Sequence, residues 1–349
     1  MMPKYQRVFL SAMGYELGPV VVTSSELEEK LAPVYKRLNL QSGQLEAWTG
    51  ISERRWWQPG FQLSTGGIAA AKKVLRKTGI NPKDIGMVVY GGVCRENFEP
   101  ATACAIADGL GIRGSAFIYD VSNACLGVLN GMVEVANRIE LGQIHAGLVI
   151  SCESAREINE ITLSRLAKAG DMSIFSRTLA TFTGGSGAVA MLLTDGSFTN
   201  LPNHQILGAV SEVAPEHHQL CRWGLTLTGE GTFEQFMSTD SVSVMKNGVQ
   251  LGLITWKKFL SHLGWQPSEV DRVICHQVGH GHQEAILKTL QIPKEKDYVT
   301  YRFLGNMGTA ALPITAALAD ERGALKQGQY AAFLGIGSGL TSLMMGLKW

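Results

Sequence analysis

The feature that most constrains this chain is that it repeats itself at an offset of 185 residues. PKDIGMVVYGGV (82–93) resembles PSEVDRVICHQV (267–278), and AGLVISCES (146–154) lines up with AAFLGIGSG (331–339). Between them, a segment opening at Tyr119 and running into a helical pattern over 125–140 corresponds to one opening at Phe303 and running into 309–321. Three matches in one order at nearly one offset indicate duplication of a βαβ-rich half. The halves are expected at 1–198 and 205–349. No Pro- or Ser-rich linker separates them, so they are expected to pack as one body.

Each half reads as α/β. Short β-branched runs ending in Gly or small residues, at 87–93, 145–154, 189–196, 272–278 and 330–340, indicate strands buried on both faces. Helical patterns at 67–77, 100–109, 125–140, 240–262, 281–290 and 309–321 alternate with them, as in a layered architecture. A charged fraction of 17% beside 40 glycines suits a large core with close backbone approaches. A net charge of +1 gives no electrostatic case for nucleic acid or a bare membrane surface. The first residues show no signal peptide, no run reads as a membrane span, and none of the six cysteines forms a C-x-x-C pair. Reduced thiols in the cytoplasm are the expectation.

Three polar residues stand out. Cys125 opens an apolar stripe at 125, 128, 129, 132, 135, 136 and 139, with Asn123 as N-cap, which predicts that it lies in the first turn of a buried helix. There the helix dipole would favour thiolate; a buried core cysteine is the alternative. His276 ends the run RVICHQV, where α/β sites usually form, as an acid/base or hydrogen-bond donor. The rival is a metal site, but the spacing of His276, His280 and His282 matches no established ligand pattern. Asn306 stands in the Gly-flanked loop FLGNMGTAALP, where a turn Asn is the ordinary reading. GIGSGL (335–340) suits backbone N–H groups aimed into a site, or a plain turn. TGGSGA (183–188) is weak as a phosphate loop.

Together these segments resemble the ketoacyl-synthase III branch of the thiolase superfamily. TGISERR (49–55), EPATA (99–103), SNACLGVLNG (122–131), GGSGA (184–188), HQV (276–278), GNMGTAALP (305–313) and GIGSGL with the final Trp349 follow in that family's order. The resemblance implies a thiolase fold with five αβαβα layers. Cys125 would then be the acyl-accepting nucleophile, with His276 and Asn306 holding the second thioester. The backbone N–H groups of Cys125 and Ser338 would form the oxyanion hole. Trp48 and Arg54, beside and within TGISERR, would contact substrate.

The departures from ketoacyl synthase III point to a sub-branch. HQVG replaces H-Q-A-N, Trp48 stands where an Arg is usual, and RENFEPATA carries an acidic residue not expected there. These features look like the OleA-type thiolases of long-chain olefin synthesis, which condense two acyl-CoAs. In them the residue matching Glu99 reaches the neighbouring subunit's site as base. A donor without a malonyl carboxylate to lose needs such a base for its α-proton, and a carboxylate in an apolar pocket is a better one. A solvated Glu ahead of a helix-starting Pro is the alternative.

The implied reaction is non-decarboxylative Claisen condensation of two acyl-CoAs to a β-keto acid or thioester by a homodimer. Coenzyme A thioesters are its substrates and no cofactor or metal is required. The second reading is a decarboxylating synthase using malonyl on an acyl carrier protein. A Cys-His-Asn hydrolase is a third, unsupported by any C-G-S-C-W-like segment. A non-catalytic acyl-binding scaffold comes last.

Overall fold

Nine strands form one hydrogen-bonded sheet in the computed structural model, which describes residues 4–169, 171–198, 201–227, 229 and 231–349. They are β1 (Phe9–Leu17), β2 (Met87–Gly91), β3 (Phe117–Val121), β4 (Ala146–Glu153) and β5 (Gly187–Thr194), then β6 (His204–Val213), β7 (Arg272–Cys275), β8 (Tyr330–Gly337) and β9 (Thr341–Lys348). Their spatial order is β7-β8-β9-β6-β1-β5-β4-β2-β3. Six helices pack on them: α1 (Leu63–Thr78), α2 (Thr102–Leu110), α3 (Gly127–Glu140), α4 (Ser241–Leu263), α5 (His280–Leu290) and α6 (Ala311–Glu321).

The two ends of the sheet follow one pairing scheme. β2 and β4 run parallel, β4 and β5 antiparallel, and β5 and β1 antiparallel. Likewise β7 and β8 run parallel, β8 and β9 antiparallel, and β9 and β6 antiparallel. The ends are joined where β1 meets β6, through Phe9↔Gln205 and Leu10↔His204. One strand is not repeated in full. β3 pairs along β2, whereas the corresponding edge of β7 carries a single parallel bridge from Val273 to Asp297.

Burial explains the layers. Alternate residues of a strand face opposite sides. Met87, Val89, Val149, Val189 and Met191 therefore share one cluster with α3 and α6, while Val88, Tyr90, Leu148 and Ile150 share another with α1 and α2. In the second half Ile274, Ala331, Phe333 and Met345 join the α3/α6 cluster, and Val273, Cys275, Ala332 and Met344 pack with α4 and α5. The sequence of layers is α1/α2, sheet, α3/α6, sheet, α4/α5. That is the five-layer thiolase arrangement. Val128, Leu129, Met132, Val135, Ala136 and Ile139 of α3 are all buried, as their spacing predicts. Each aliphatic side chain so buried contributes roughly 1.5–3 kcal/mol. Gly131 lets α3 lie close, since a Cβ there would fall 2.6 Å from Val149 Cγ1.

Candidate active site

After β3 the chain turns through Ala124 at φ +45°, a left-handed conformation that is uncommon for a residue with a Cβ. This turn delivers Cys125 two residues ahead of α3, whose N-cap is Leu126. Two expectations are corrected here. Cys125 precedes the helix instead of lying in its first turn. Asn123 does not cap it: the N-cap position falls on Leu126 with no side-chain bond, and the Asn123 amide donates to Asn130 Oδ1 at 2.8 Å.

The thiolate expectation is also corrected. Burial, followed by the fields of Cys221 and Glu153, pushes the Cys125 thiol from 9.0 up to about 12. A shift of that size corresponds to about 4 kcal/mol, whereas a helix end supplies at most ~2 kcal/mol to a neighbouring charge. Desolvation wins, and the resting group is a thiol.

Asn306 is seated by backbone bonds on both sides. Its N–H donates to Thr183 O at 2.8 Å, and its carbonyl accepts the Gly185 N–H at 2.9 Å. Only glycine fits at 185, where a Cβ would run into the Leu304 carbonyl. The TGGSGA segment is thus the seat of Asn306 and not a phosphate loop. Asn306 Oδ1 accepts the Gly308 N–H at 3.1 Å, so the side-chain oxygen is engaged and the amide nitrogen is the donor end. Next along the chain, Thr309 Oγ1 accepts the Val128 N–H at 2.8 Å. The starts of α3 and α6, and with them Cys125 and Asn306, are therefore tied together.

The GIGSGL junction lies against the nucleophile. A Cβ on Gly337 would stand 3.3 Å from the Cys125 nitrogen, so Ser338 follows directly from a residue in contact with the Cys125 backbone. β8 also connects to His276, whose N–H donates to Leu334 O at 3.0 Å. His276 is buried, and burial followed by the field of His282 brings its imidazole down to about 3. It is neutral at every physiological pH. The neighbouring Gln277 is locked, donating to Cys275 O and accepting from the Thr300 and Tyr301 N–H groups. His282 is pushed down to about 4 by burial, while His280 pairs with Glu284 at 3.2 Å. Among the described residues no group of three or more His, Cys, Asp and Glu could hold a metal.

The remaining candidates lie elsewhere. Glu99 is exposed, on the segment 92–101 between β2 and α2, beside Phe98 at 94% exposure. Trp48 is partly exposed and meets Phe175 edge-on, ring centroids 6.2 Å apart. Arg54 requires a correction. Its side chain is fully buried and its guanidinium donates to Ser24 Oγ at 3.0 and 3.1 Å. It braces the two-stranded pair Val20–Thr23 and Glu53–Trp56 and is closed off from a substrate in solvent.

The sequence reading passed over Glu153, which ends β4. Its carboxylate is buried, accepts the N–H groups of Val93 at 2.9 Å and Cys94 at 3.1 Å, and acts on Cys125 through its charge. The only signal for it in the sequence is an acidic residue closing an apolar run.

Comparison with known proteins gives a consistent picture. Residues 62–222 match the thiolase N-terminal domain, and residues 260–349 match the C-terminal part of 3-oxoacyl-[acyl-carrier-protein] synthase III. An acyl-CoA:acyl-CoA alkyltransferase of Shewanella oneidensis is 54% identical, covering 99% of this chain and 100% of the relative. One from Xanthomonas campestris is 33% identical, covering 99% of each. Solved structures of Xanthomonas campestris OleA superpose with a TM-score of 0.93 at 32% identity, covering 100% of this chain and 98% of theirs. That protein has been solved with cerulenin, with lauric acid and lauroyl-CoA, and with one cysteine, one glutamate or one histidine replaced. Its replaced glutamate precedes its replaced cysteine by as many residues as Glu99 precedes Cys125.

Proposed function

The chain belongs to the acyl-CoA:acyl-CoA alkyltransferase family of thiolase-fold enzymes, and from that premise we propose that it joins two acyl-CoA thioesters head to head by Claisen condensation. It is a condensing acyltransferase. The observation that carries the reading is the Val128–Thr309 bond, which holds a nucleophile loop and an amide-donor loop together at the facing ends of two buried helices.

In the first half-reaction Cys125 sulfur attacks the carbonyl of one acyl-CoA. The backbone N–H groups of Cys125 and Ser338 receive the oxyanion, and the thiol proton leaves on the departing CoA sulfur. In the second, Glu99 removes an α-proton from another acyl-CoA. The neutral His276 and the Asn306 amide donate to the enolate oxygen. The new carbon–carbon bond forms as Cys125 sulfur is expelled and takes back the proton held by Glu99, giving a β-ketoacyl-CoA; water cleaves its thioester to a β-keto acid and free CoA. This chemistry calls on no cofactor beyond its thioester substrates.

The exposure of Glu99 supports a homodimer in which each Glu99 serves the other chain's site. Trp48, exposed beside Phe175, suits contact with the coenzyme A portion. We place the enzyme in the cytoplasm, among acyl-CoAs; no helix among the described residues is long and apolar enough to cross a membrane. The halves are assigned to 1–198, with the nucleophile, and 205–349, with His276 and Asn306.

Mass spectrometry of products from purified enzyme and acyl-CoAs of several lengths tests the reading. A β-keto acid or its ketone, carrying both acyl chains, is expected without malonyl thioester. The match of residues 260–349 to the synthase III C-terminal part favours the decarboxylating reaction with malonyl on acyl carrier protein as the second reading. Malonyl-dependent product with carbon dioxide release would put that reading first.

A further inference from the structure

One buried carboxyl group beside the nucleophile takes no part in that reaction. Glu153 is 3% exposed, and two loops distant in sequence converge on its carboxylate. On one side it accepts the N–H groups of Val93 and Cys94, which open the segment that carries Glu99. On the other it abuts the loop of Asn306, since a Cβ on Gly308 would stand 3.3 Å from Glu153 Oε1. The Trp57 indole fixes the base of this residue by donating to Glu153 O at 3.0 Å.

The Glu99 segment is held at two further points. Glu96 Oε1 accepts both the N–H and the hydroxyl of Ser64 at 2.8 Å. Asp120 accepts the N–H groups of Thr102 and Ala103, each at 2.9 Å, at the start of α2. Carboxylates thus fasten the segment at its root, middle and end. Of these three, the root carboxylate is the one that also touches the Asn306 loop.

We propose that Glu153 is a positioning residue for the condensation step, joining the root of the Glu99 segment, whose base serves the partner's site, to the Asn306 loop of its own site, so that base and enolate donor are each held in place. The inference rests on the condensation reading above. With Glu99 acting in the partner's site, the same joint links the two active sites of a dimer. The titratable groups that Glu153 faces are Tyr90, Cys94, Cys152 and Cys125; Cys125 in turn faces Cys221. Burial raises the Glu153 carboxyl, against the N–H groups it accepts; once ionised it opposes thiolate formation at Cys125, which gives the role an independent electrostatic readout.

The test compares Glu153→Gln, which keeps the shape and removes the charge, with Glu153→Asp, which keeps the charge. Single-turnover acylation of Cys125 by acyl-CoA should stay within about threefold of wild type in the Gln variant, while condensation falls at least roughly tenfold. The pH midpoint for iodoacetamide alkylation of the Cys125 peptide should move down. Glu153→Asp should restore that midpoint and part of the condensation rate, and it also serves if the Gln variant unfolds. Acylation and condensation falling by one common factor, with the alkylation midpoint unmoved, would reduce Glu153 to a structural residue and overturn the proposal. So would wild-type condensation in both variants. A wild-type enzyme that forms no acyl-Cys125 or no condensed product would instead strike the condensation reading, before any variant is made.

Discussion

The hydroxyl of Thr309 accepts the backbone N–H of Val128 at 2.8 Å, and this buried bond crosses from one half of the molecule to the other. Helix N-termini carry N–H groups with no partner inside the helix. Here the second half supplies the partner for the first, beside Cys125 on one side and Asn306 on the other. Thr309→Val leaves that N–H orphaned, at a cost of about 1–3 kcal/mol. Thermal unfolding should shift down accordingly, and condensation should suffer more than acylation because Asn306 loses its reference point. Thr309→Ser, which keeps the hydroxyl, should recover most of both.

Replacing Cys125 tests the nucleophile. Cys125→Ser should lose condensation by several orders of magnitude, as removal of a nucleophile does elsewhere. Incubation with acyl-CoA should add one acyl mass to the wild type and none to Cys125→Ala. A stable adduct on Cys94 or Cys275 in the Ala variant would contradict the assignment, although Cys275 is buried, Cys94 partly so, and both thiols are pushed well up.

His276→Ala and Asn306→Ala should spare acylation more than condensation, since both groups are given to the second thioester. Loss of one hydrogen bond to a developing oxyanion costs on the order of ~3 kcal/mol, about a hundredfold in rate. Single-turnover kinetics separates the steps. Acylation abolished in both variants, at wild-type thermal stability, would show that the division of roles is wrong.

How much of this was legible follows from where the signals lie. The offset of 185 residues lands on β2 and β7, on β4 and β8, and on α3 and α6, because continuous apolar runs and an apolar helical stripe survive in both halves. β1 and β9 escaped notice, since FLSAMGYEL and TSLMMGLK rely on Met and Leu, which helices accept equally well. The strand pair Cys221–Leu227 and Phe233–Thr239 lies between β6 and α4, as Val20–Thr23 and Glu53–Trp56 lie between β1 and α1, but the two pairs are not spaced by the offset that revealed the repeat. The candidate site residues stood out through motifs. Their environments did not: the burial that keeps Cys125 a thiol, encloses Arg54 and sets Glu153 between two loops depends on which loops meet, and sequence spacing carries no such information.

Asp297 provides a pH test where the repeat is incomplete. It makes the lone bridge to Val273 in place of a strand, and its carboxylate accepts from Gln283 Nε2 at 2.8 Å. Burial raises its carboxyl from 3.8 to about 6. Between those values the folded state holds a proton that the unfolded state has lost. This group's contribution to stability is therefore present at low pH and disappears as pH rises through about 6. The difference is worth about 2–3 kcal/mol. Asp297→Asn, measured by thermal unfolding against wild type, should gain relative stability from pH 4 to pH 7 and hold it above. A difference independent of pH would show that Asp297 is not the group responsible.

The exposure of Glu99 leads to a test of its role and of the dimer together. If Glu99 is the base in the partner's site, each site takes Cys125 from one chain and Glu99 from the other. A Cys125→Ala chain and a Glu99→Ala chain are then each inactive alone. When the two are mixed, one site of the heterodimer carries both defects. The other has an intact Cys125 and an intact Glu99, so activity should return towards half of wild type per heterodimer. Action of Glu99 within its own chain leaves both sites broken, and mixing restores nothing. A Glu99→Ala enzyme that is nearly fully active by itself would make Glu99 a surface residue ahead of α2. The α-proton would then need no carboxylate base, and the malonyl-dependent synthase would become the better account.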